Sequence, residues 1–269
     1  MQKNYQCFVF DLYGTLVDIR TDESLPQLWQ EAACWFGEKG IAYDPDELRK
    51  KYEILCREVS FRKEAELAAR GIPGPGEIEI TDVWDLLAFE KGGVLNMEEK
   101  LEFSRLFRRS STCRLKLFPG VEEVLRTLRD AGKTVCLLTN AQGSFTLPEL
   151  EKLGISRAFD RIFISSRFGV RKPSPAFFGV LRCLGVDPAD MLMVGNDDIC
   201  DCHGASAAGI DSLYIRTEQS PERTLPLPGN CREIGGIGEV LEFCCHYKKA
   251  ISDRKMNDRD DLPGTIYID

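Results

Sequence analysis

The chain has 269 residues, with 43 acidic against 35 basic side chains and a formal net charge of −8. Its length exceeds the usual size of a single core, so one large domain carrying a smaller insert is expected. The acidic balance argues against a surface that wraps a polyanion, and no apolar run is long enough to span a bilayer, so neither a nucleic-acid nor a membrane partner is expected.

Met1 to Tyr5 leads directly into a strand without a secretory apolar segment, which predicts a cytoplasmic protein. Tyr5 to Phe10 is short, apolar and aromatic-rich and ends at Asp11, the form of a buried parallel strand. From about Asp22 to Arg109 the period changes. Leu25, Leu28, Trp29, Ala32, Ala33 and Phe36 recur at helical spacing, and Pro45 opens a second helix with Leu48, Tyr52, Leu55 and Val59 on one face. Gly71 to Gly76 is a Gly/Pro loop, after which Thr81 or Asp82 is a candidate cap for a helix holding Val83, Leu86 and Leu87. A fourth helix is expected near Met97 to Arg108.

Beyond Phe118-Pro119-Gly120-Val121 helices and strands alternate. Helices are predicted over Glu122–Ala131, Pro148–Leu153, Pro175–Leu184 and Cys202–Ala208, and strands over Thr134–Thr139, Arg161–Ser165, Met191–Val194 and Ser212–Ile215. Such alternation specifies an α/β fold, a doubly wound, Rossmann-like parallel sheet, here interrupted by an all-helical insert. Ligands of these sheets sit beyond the carboxyl ends of the strands, where Asp11, Thr139, Lys172 and Asp197 all fall. The eleven cysteines are scattered through predicted strands and helices and read as free thiols rather than a disulfide framework. Cys200-Asp201-Cys202-His203 and Cys244-Cys245-His246 lack the second paired set that structural zinc requires.

The run Phe10-Asp11-Leu12-Tyr13-Gly14-Thr15 resembles the first signature of the haloacid dehalogenase superfamily, Asp-x-Asp-Gly-Thr, with Tyr13 at the second carboxylate. Leu138-Thr139-Asn140, Lys172-Pro173-Ser174-Pro175 and Gly195-Asn196-Asp197-Asp198-Ile199-Cys200-Asp201 resemble the remaining three signatures. They span Tyr5 to about Arg216 in the family's order, and the helical insert resembles its four-helix cap. The expected organisation is a core of residues 1–20 and 114–247, a cap of 21–113 and a charged tail of 248–269.

The resemblance implies hydrolysis through Asp11 as a carboxylate nucleophile. Alone, an Asp at a strand end is more often a turn or cap residue. Thr139 and Asn140, with Gly14 and Thr15, would receive an anionic substrate group, and Lys172 would neutralise charge between Asp11 and substrate. Asp11, the main chain of Tyr13, and Asn196, Asp197, Asp198 or Asp201 are the candidate Mg²⁺ ligands; Asp201 has the alternative role of orienting the loop or Lys172. The substrate expected is a small anionic metabolite, in the first instance a phosphate ester.

Tyr13 complicates this reading, because the missing carboxylate would act as general acid and base, and a phenol replaces it poorly at neutral pH. Tyrosine there also matches the family's metal-independent 2-haloacid dehalogenases. Their pattern fails elsewhere, with Asn196 and Asp198 in the fourth signature and Phe178 where they carry a tyrosine. A weakly active or non-catalytic binding protein is the third alternative. Arg20, Arg57, Arg62 and Arg70 are the candidate specificity residues of the cap.

Overall fold

A computed structural model describes residues 3–244 and 266–267. The chain begins with β1 (Cys7–Phe10), turns at Gly14 into β2 (Val17–Thr21), and continues into α1 (Pro26–Glu38), α2 (Pro45–Ala69), α3 (Ile80–Glu90) and α4 (Met97–Ser111). It returns along β3 (Thr112–Leu117), antiparallel to β2. Then follow α5 (Val121–Asp130), β4 (Thr134–Thr139), α6 (Gly143–Lys152), β5 (Arg161–Ile164), α7 (Ser165–Phe168), α8 (Pro175–Phe178), β6 (Met191–Gly195), α9 (Gly204–Ala207), β7 (Asp211–Ile215) and β8 (Cys231–Ile234). A short strand, β9 (Ile266–Tyr267), adds to the sheet edge beside β5. The remainder of the expected tail, 248–269, lies outside the described residues, as do Cys245 and His246.

The sheet is parallel throughout, in the order β8-β7-β6-β1-β4-β5-β9. Strand alternation divides its side chains between two cores. Phe8 and Phe10, Val135 and Leu137, and Leu192 and Val194 pack on one face, with Val124 and Leu128 of α5. Cys7 and Val9, Cys136 and Leu138, and Met191 and Met193 pack on the other, against Phe177 and Phe178 of α8. Both faces are therefore covered, which is why these strands read as continuous apolar runs. β1 sits between β4 and β6, where the chain's path across the sheet reverses. A crevice opens at such a point beyond the strand ends.

The four inserted helices share a separate aromatic core around Trp84, Phe36, Phe103 and Phe107. Trp84 meets Phe103 edge to face at 4.8 Å between ring centres, and its indole donates to Ser104 Oγ at 2.9 Å. Asp44 caps α2 ahead of Pro45, and Asn96 with Glu99 forms a reciprocal capping box on α4. Phe145 of α6 stacks on Phe107, joining this core to the sheet.

Several boundaries differ from expectation. The first strand starts at Cys7 rather than Tyr5. The β2–β3 ribbon and β8 have no counterpart among the expected elements. α3 begins at Ile80, and its capping position is Glu79, not Thr81 or Asp82. α6 begins at Gly143, five residues before the expected Pro148, which lies inside the helix. The stretch expected as one helix from Cys202 is a wide turn over Asp198–His203 that runs on into α9.

Candidate active site

Asp11 directly follows β1, and its N–H donates to the Val194 carbonyl of β6 at 2.9 Å. Its carboxylate is largely buried and meets a buried lysine. Lys172 Nζ lies 2.8 Å from Asp11 Oδ1 and 2.7 Å from Asp201 Oδ1, and only 2% of Lys172 is exposed. Burial acts to lower the ammonium pKa, but attraction to Asp11 and Asp201 outweighs it and holds the group above its usual range. Burial raises the Asp201 carboxyl against the pull of Lys172. The second oxygen of Asp201 accepts the Asp197 N–H at 3.0 Å. Both its oxygens are thus engaged, one by Lys172 and the other by the loop after β6. A Cβ at position 195 would overlap the Asp201 carboxylate, so Gly195 is required there.

The turn after Asp11 needs glycine for two reasons. Gly14 has φ of +84°, and a Cβ there would collide with the Asn196 side chain. Thr15 Oγ1 stands 3.2 Å from Asp11 Oδ2 and 3.1 Å from Asn196 Oδ1. A hydroxyl has one hydrogen and satisfies only one of them. Two hard oxygens therefore converge where a single donor is available, a donor set that suits a small hard cation such as Mg²⁺. Among the described residues no three His, Cys, Asp or Glu side chains form a metal cluster. A cation here would rely on Asp11, Asn196 and main-chain oxygen. Asp197 Oδ1 accepts the N–H groups of Ile199 and Cys200, capping the turn that follows. Asp198 is 2% exposed with Oδ2 unbonded, and it is not on the pocket wall.

Thr139 ends β4, is 1% exposed, and its hydroxyl has no hydrogen-bond partner. Asn140 holds the lysine loop in place, accepting from Lys172 N at 2.8 Å and donating to Lys172 O at 3.1 Å. Asp11, Tyr13, Thr139, Asn140, Lys172, Asn196, Asp197 and Asp201 line one cavity of about 170 Å³. Most of the expected site residues thus meet at the rim. Phe178, where the dehalogenases carry a tyrosine, is core, packed beneath Gly204.

Tyr13 has partners that the sequence did not reveal. Its hydroxyl donates to Glu149 Oε2 and lies 3.1 Å from Thr146 Oγ1, both on α6. Glu149 in turn pairs with Arg108 of α4 at 2.6 Å, and the guanidinium lies over the Tyr13 ring at 5.5 Å and the Phe145 ring at 5.2 Å. Burial, followed by the negative charge of Glu149, raises the phenol pKa far above its usual range, while Arg108 acts the other way. The phenol is a firmly protonated donor committed to Glu149. An anionic base at neutral pH is excluded.

A second cavity, about 410 Å³, lies between the helices and the sheet and shares Tyr13 and Asn140 with the first. Arg108 and Arg171 are the arginines on its wall; Arg20, Arg57, Arg62 and Arg70 are not. Arg57 and Arg62 bond to their own helix, and Arg70 pairs with Glu66.

The sequence profile of haloacid dehalogenase-like hydrolases matches residues 5–209. A phosphoserine phosphatase of Thermus thermophilus is 31% identical over 150 residues, 54% of this chain and 59% of that protein. The chain thus spans about three fifths of that relative's length. A phosphoglycolate phosphatase of Pseudomonas putida is 27% identical over 194 residues, 72% of this chain and 68% of that protein. Among solved structures, a 2-haloacid dehalogenase of Pseudomonas syringae has a TM-score of 0.58 at 21% identity, covering 90% of this chain and 99% of its own. A phosphatase of Thermococcus onnurineus has a TM-score of 0.54 at 21% identity, covering 89% and 98%. At such identities these two structures report the fold alone.

Proposed function

The chain belongs to the haloacid dehalogenase-like hydrolases, and from that premise we propose that it hydrolyses a small phosphate ester through a covalent intermediate on Asp11, assisted by Mg²⁺. The observation that carries this reading is the clamp of Lys172 between Asp11 and Asp201 beside the unpartnered Thr139 hydroxyl. Lys172 sets a positive charge against Asp11 and offsets charge on an incoming phosphoryl group. Thr139 Oγ and nearby N–H groups supply donors to its oxygens. Asp11 attacks phosphorus as the ester oxygen departs, and water then attacks phosphorus to release phosphate and restore the carboxylate. Asp11, the main chain of Tyr13 and Asn196 would hold Mg²⁺, with Asp197 beside them. Such an ion would offset negative charge on the phosphoryl oxygens.

In this arrangement Tyr13 does not supply the leaving-group proton, since its phenol is engaged by Glu149. Turnover therefore depends steeply on how well the ester oxygen leaves without protonation. Residues 21–113 act as the cap over a core of 1–20 and 114–247, closing the cleft against water. Among the described residues no helix is long and apolar enough to cross a membrane, and we place the enzyme in the cytoplasm.

The second reading, halide displacement from a 2-haloacid, is favoured by Tyr13 alone, since halide needs no proton. The carboxylates of Asp197 and Asp201 beside Asp11 oppose a carboxylate substrate. Purified protein incubated with p-nitrophenyl phosphate and with 2-chloropropionate, each with Mg²⁺ or EDTA, separates the readings. EDTA-sensitive phosphate release that Asp11→Asn abolishes is the expected result. EDTA-insensitive halide release would replace it with dehalogenation, and neither product would leave a binding protein.

A further inference from the structure

The larger cavity meets the Asp11 cavity at Tyr13 and Asn140, and carboxylates outnumber arginines on its wall. Glu23, Glu64 and Glu77 stand on its wall with Arg108 and Arg171. Arg108 is already paired with Glu149 at 2.6 Å, so its charge is answered from outside the cavity. Glu77 accepts from Ser165 Oγ at 2.9 Å and Gln142 Nε2 at 3.2 Å, and Glu23 accepts from the Tyr52 hydroxyl at 3.2 Å. These partners are neutral. The lower chamber presents the opposite demand, with the buried ammonium of Lys172 and the unpartnered, 1% exposed hydroxyl of Thr139 on its wall.

Resting on the phosphatase reading, we propose that the substrate is dipolar: a phosphate ester whose alcohol carries a primary ammonium group, an amino alcohol or amino sugar, held by Glu23 and Glu77. An ammonium fits on three grounds. It is a compact donor of three hydrogen bonds, matched to the acceptor oxygens that Glu23 and Glu77 bring to the cavity wall. It answers carboxylates whose hydrogen-bond partners are neutral and for which the pull of Arg108 on Glu23 and of Arg171 on Glu77 does not offset burial. It also relieves a cost of burial, because burial raises the pKa of both Glu23 and Glu77, and a cation in contact favours their ionised forms. A carboxylate in the same place would face like charge. The chamber therefore selects against acids such as phosphoglycolate, the substrate named for one relative.

The test is a comparison of kcat/KM among O-phosphoethanolamine and glucosamine 6-phosphate, glycerol 3-phosphate and glucose 6-phosphate, and phosphoglycolate, with Mg²⁺ at pH 7.5, alongside p-nitrophenyl phosphate. The ammonium esters are expected to exceed their neutral counterparts by about tenfold or more, the scale of one hydrogen bond between charged groups. Phosphoglycolate should rank last. Glu77→Gln and Glu23→Gln, each confirmed folded by its melting curve, should bring the ammonium-to-neutral ratio toward one. Equal or higher rates with the neutral or acidic esters, while p-nitrophenyl phosphate is hydrolysed, overturn the inference and leave the phosphatase reading standing. Absence of Mg²⁺-dependent hydrolysis of every ester, p-nitrophenyl phosphate included, overturns both. An ammonium preference that both variants retain assigns the recognition elsewhere and overturns the site.

Discussion

The Tyr13 hydroxyl donates its proton to the Glu149 carboxylate, and through Glu149 the loop after the first strand is tied to Arg108 at the end of the fourth helix. Removing the phenol leaves a buried carboxylate short of a donor. Tyr13→Phe should lose about 1–3 kcal/mol of stability in urea unfolding. Tyr13→Asp alone sets a second acid against Glu149, so it should gain little turnover. Tyr13→Asp with Glu149→Gln should raise phosphate-ester hydrolysis at least about tenfold, since the missing acid–base step contributes roughly 10²–10⁴. A double variant, folded and no faster than wild type, would show that the site does not lack a proton donor.

Lys172 offers a second test. Lys172→Met leaves Asp11 and Asp201 buried without a counter-charge, at a cost of about 3–5 kcal/mol in urea unfolding at pH 7. Adding Asp201→Asn should restore part of that loss. Because the folded-state ammonium pKa is raised, its contribution is complete below the ordinary lysine value of 10.5 and declines only as pH rises through the higher folded value. Without the ammonium, burial raises the Asp201 carboxyl further, so the variant relieves part of its penalty by protonation and the difference from wild type should be smaller at pH 5 than at pH 8.

Asn196 limits the charge available to a cation. Asn196→Asp adds a carboxylate beside Asp11 and should lower the Mg²⁺ concentration needed to raise the melting temperature by about tenfold, read from melting curves across a Mg²⁺ series after EDTA treatment. An unchanged Mg²⁺ dependence would remove Asn196 from the donor set.

Glu79 gives a pH-dependent prediction away from the chemistry. Its Oε1 is buried without a hydrogen-bond partner, and burial raises its pKa from 4.5. A raised folded-state value means the native protein binds the proton more tightly, so this group supports stability below about pH 4.5 and works against it as pH rises. Glu79→Gln should melt about 2–4 °C higher than wild type at pH 8, with the gain absent at pH 4. Equal shifts at both pH values would mean that the carboxylate charge is irrelevant.

The sheet was legible because strands covered on both faces cannot avoid long apolar runs, and because Asp11, Thr139 and Lys172 carry turn and charge signals at their ends. The Tyr13 network was not. Glu149 lies 136 residues beyond Tyr13, and nothing in the sequence of the helix expected over Pro148–Leu153 marks it as a partner of that phenol. In the structure α6 begins at Gly143, whose N–H bonds to the Ser166 hydroxyl at 3.1 Å, a long-range contact without a local sequence signature. The β2–β3 ribbon escaped for a similar reason. Thr112–Leu117 has mixed burial along its length, and its strand character depends on a partner far earlier in the chain.

That ribbon has a mechanical consequence. The helices of residues 26–111 are entered along β2 and left along β3, and the two strands are bonded side by side, with one irregularity between Arg20 and Thr21. A body hung from a paired ribbon swings more readily than it slides, because sliding would break the pairing register. A swing about this β-ladder would have to part Arg108 from Glu149 and, with it, Glu77 from Ser165 and Gln142, so the helices are latched to the sheet at several points at once.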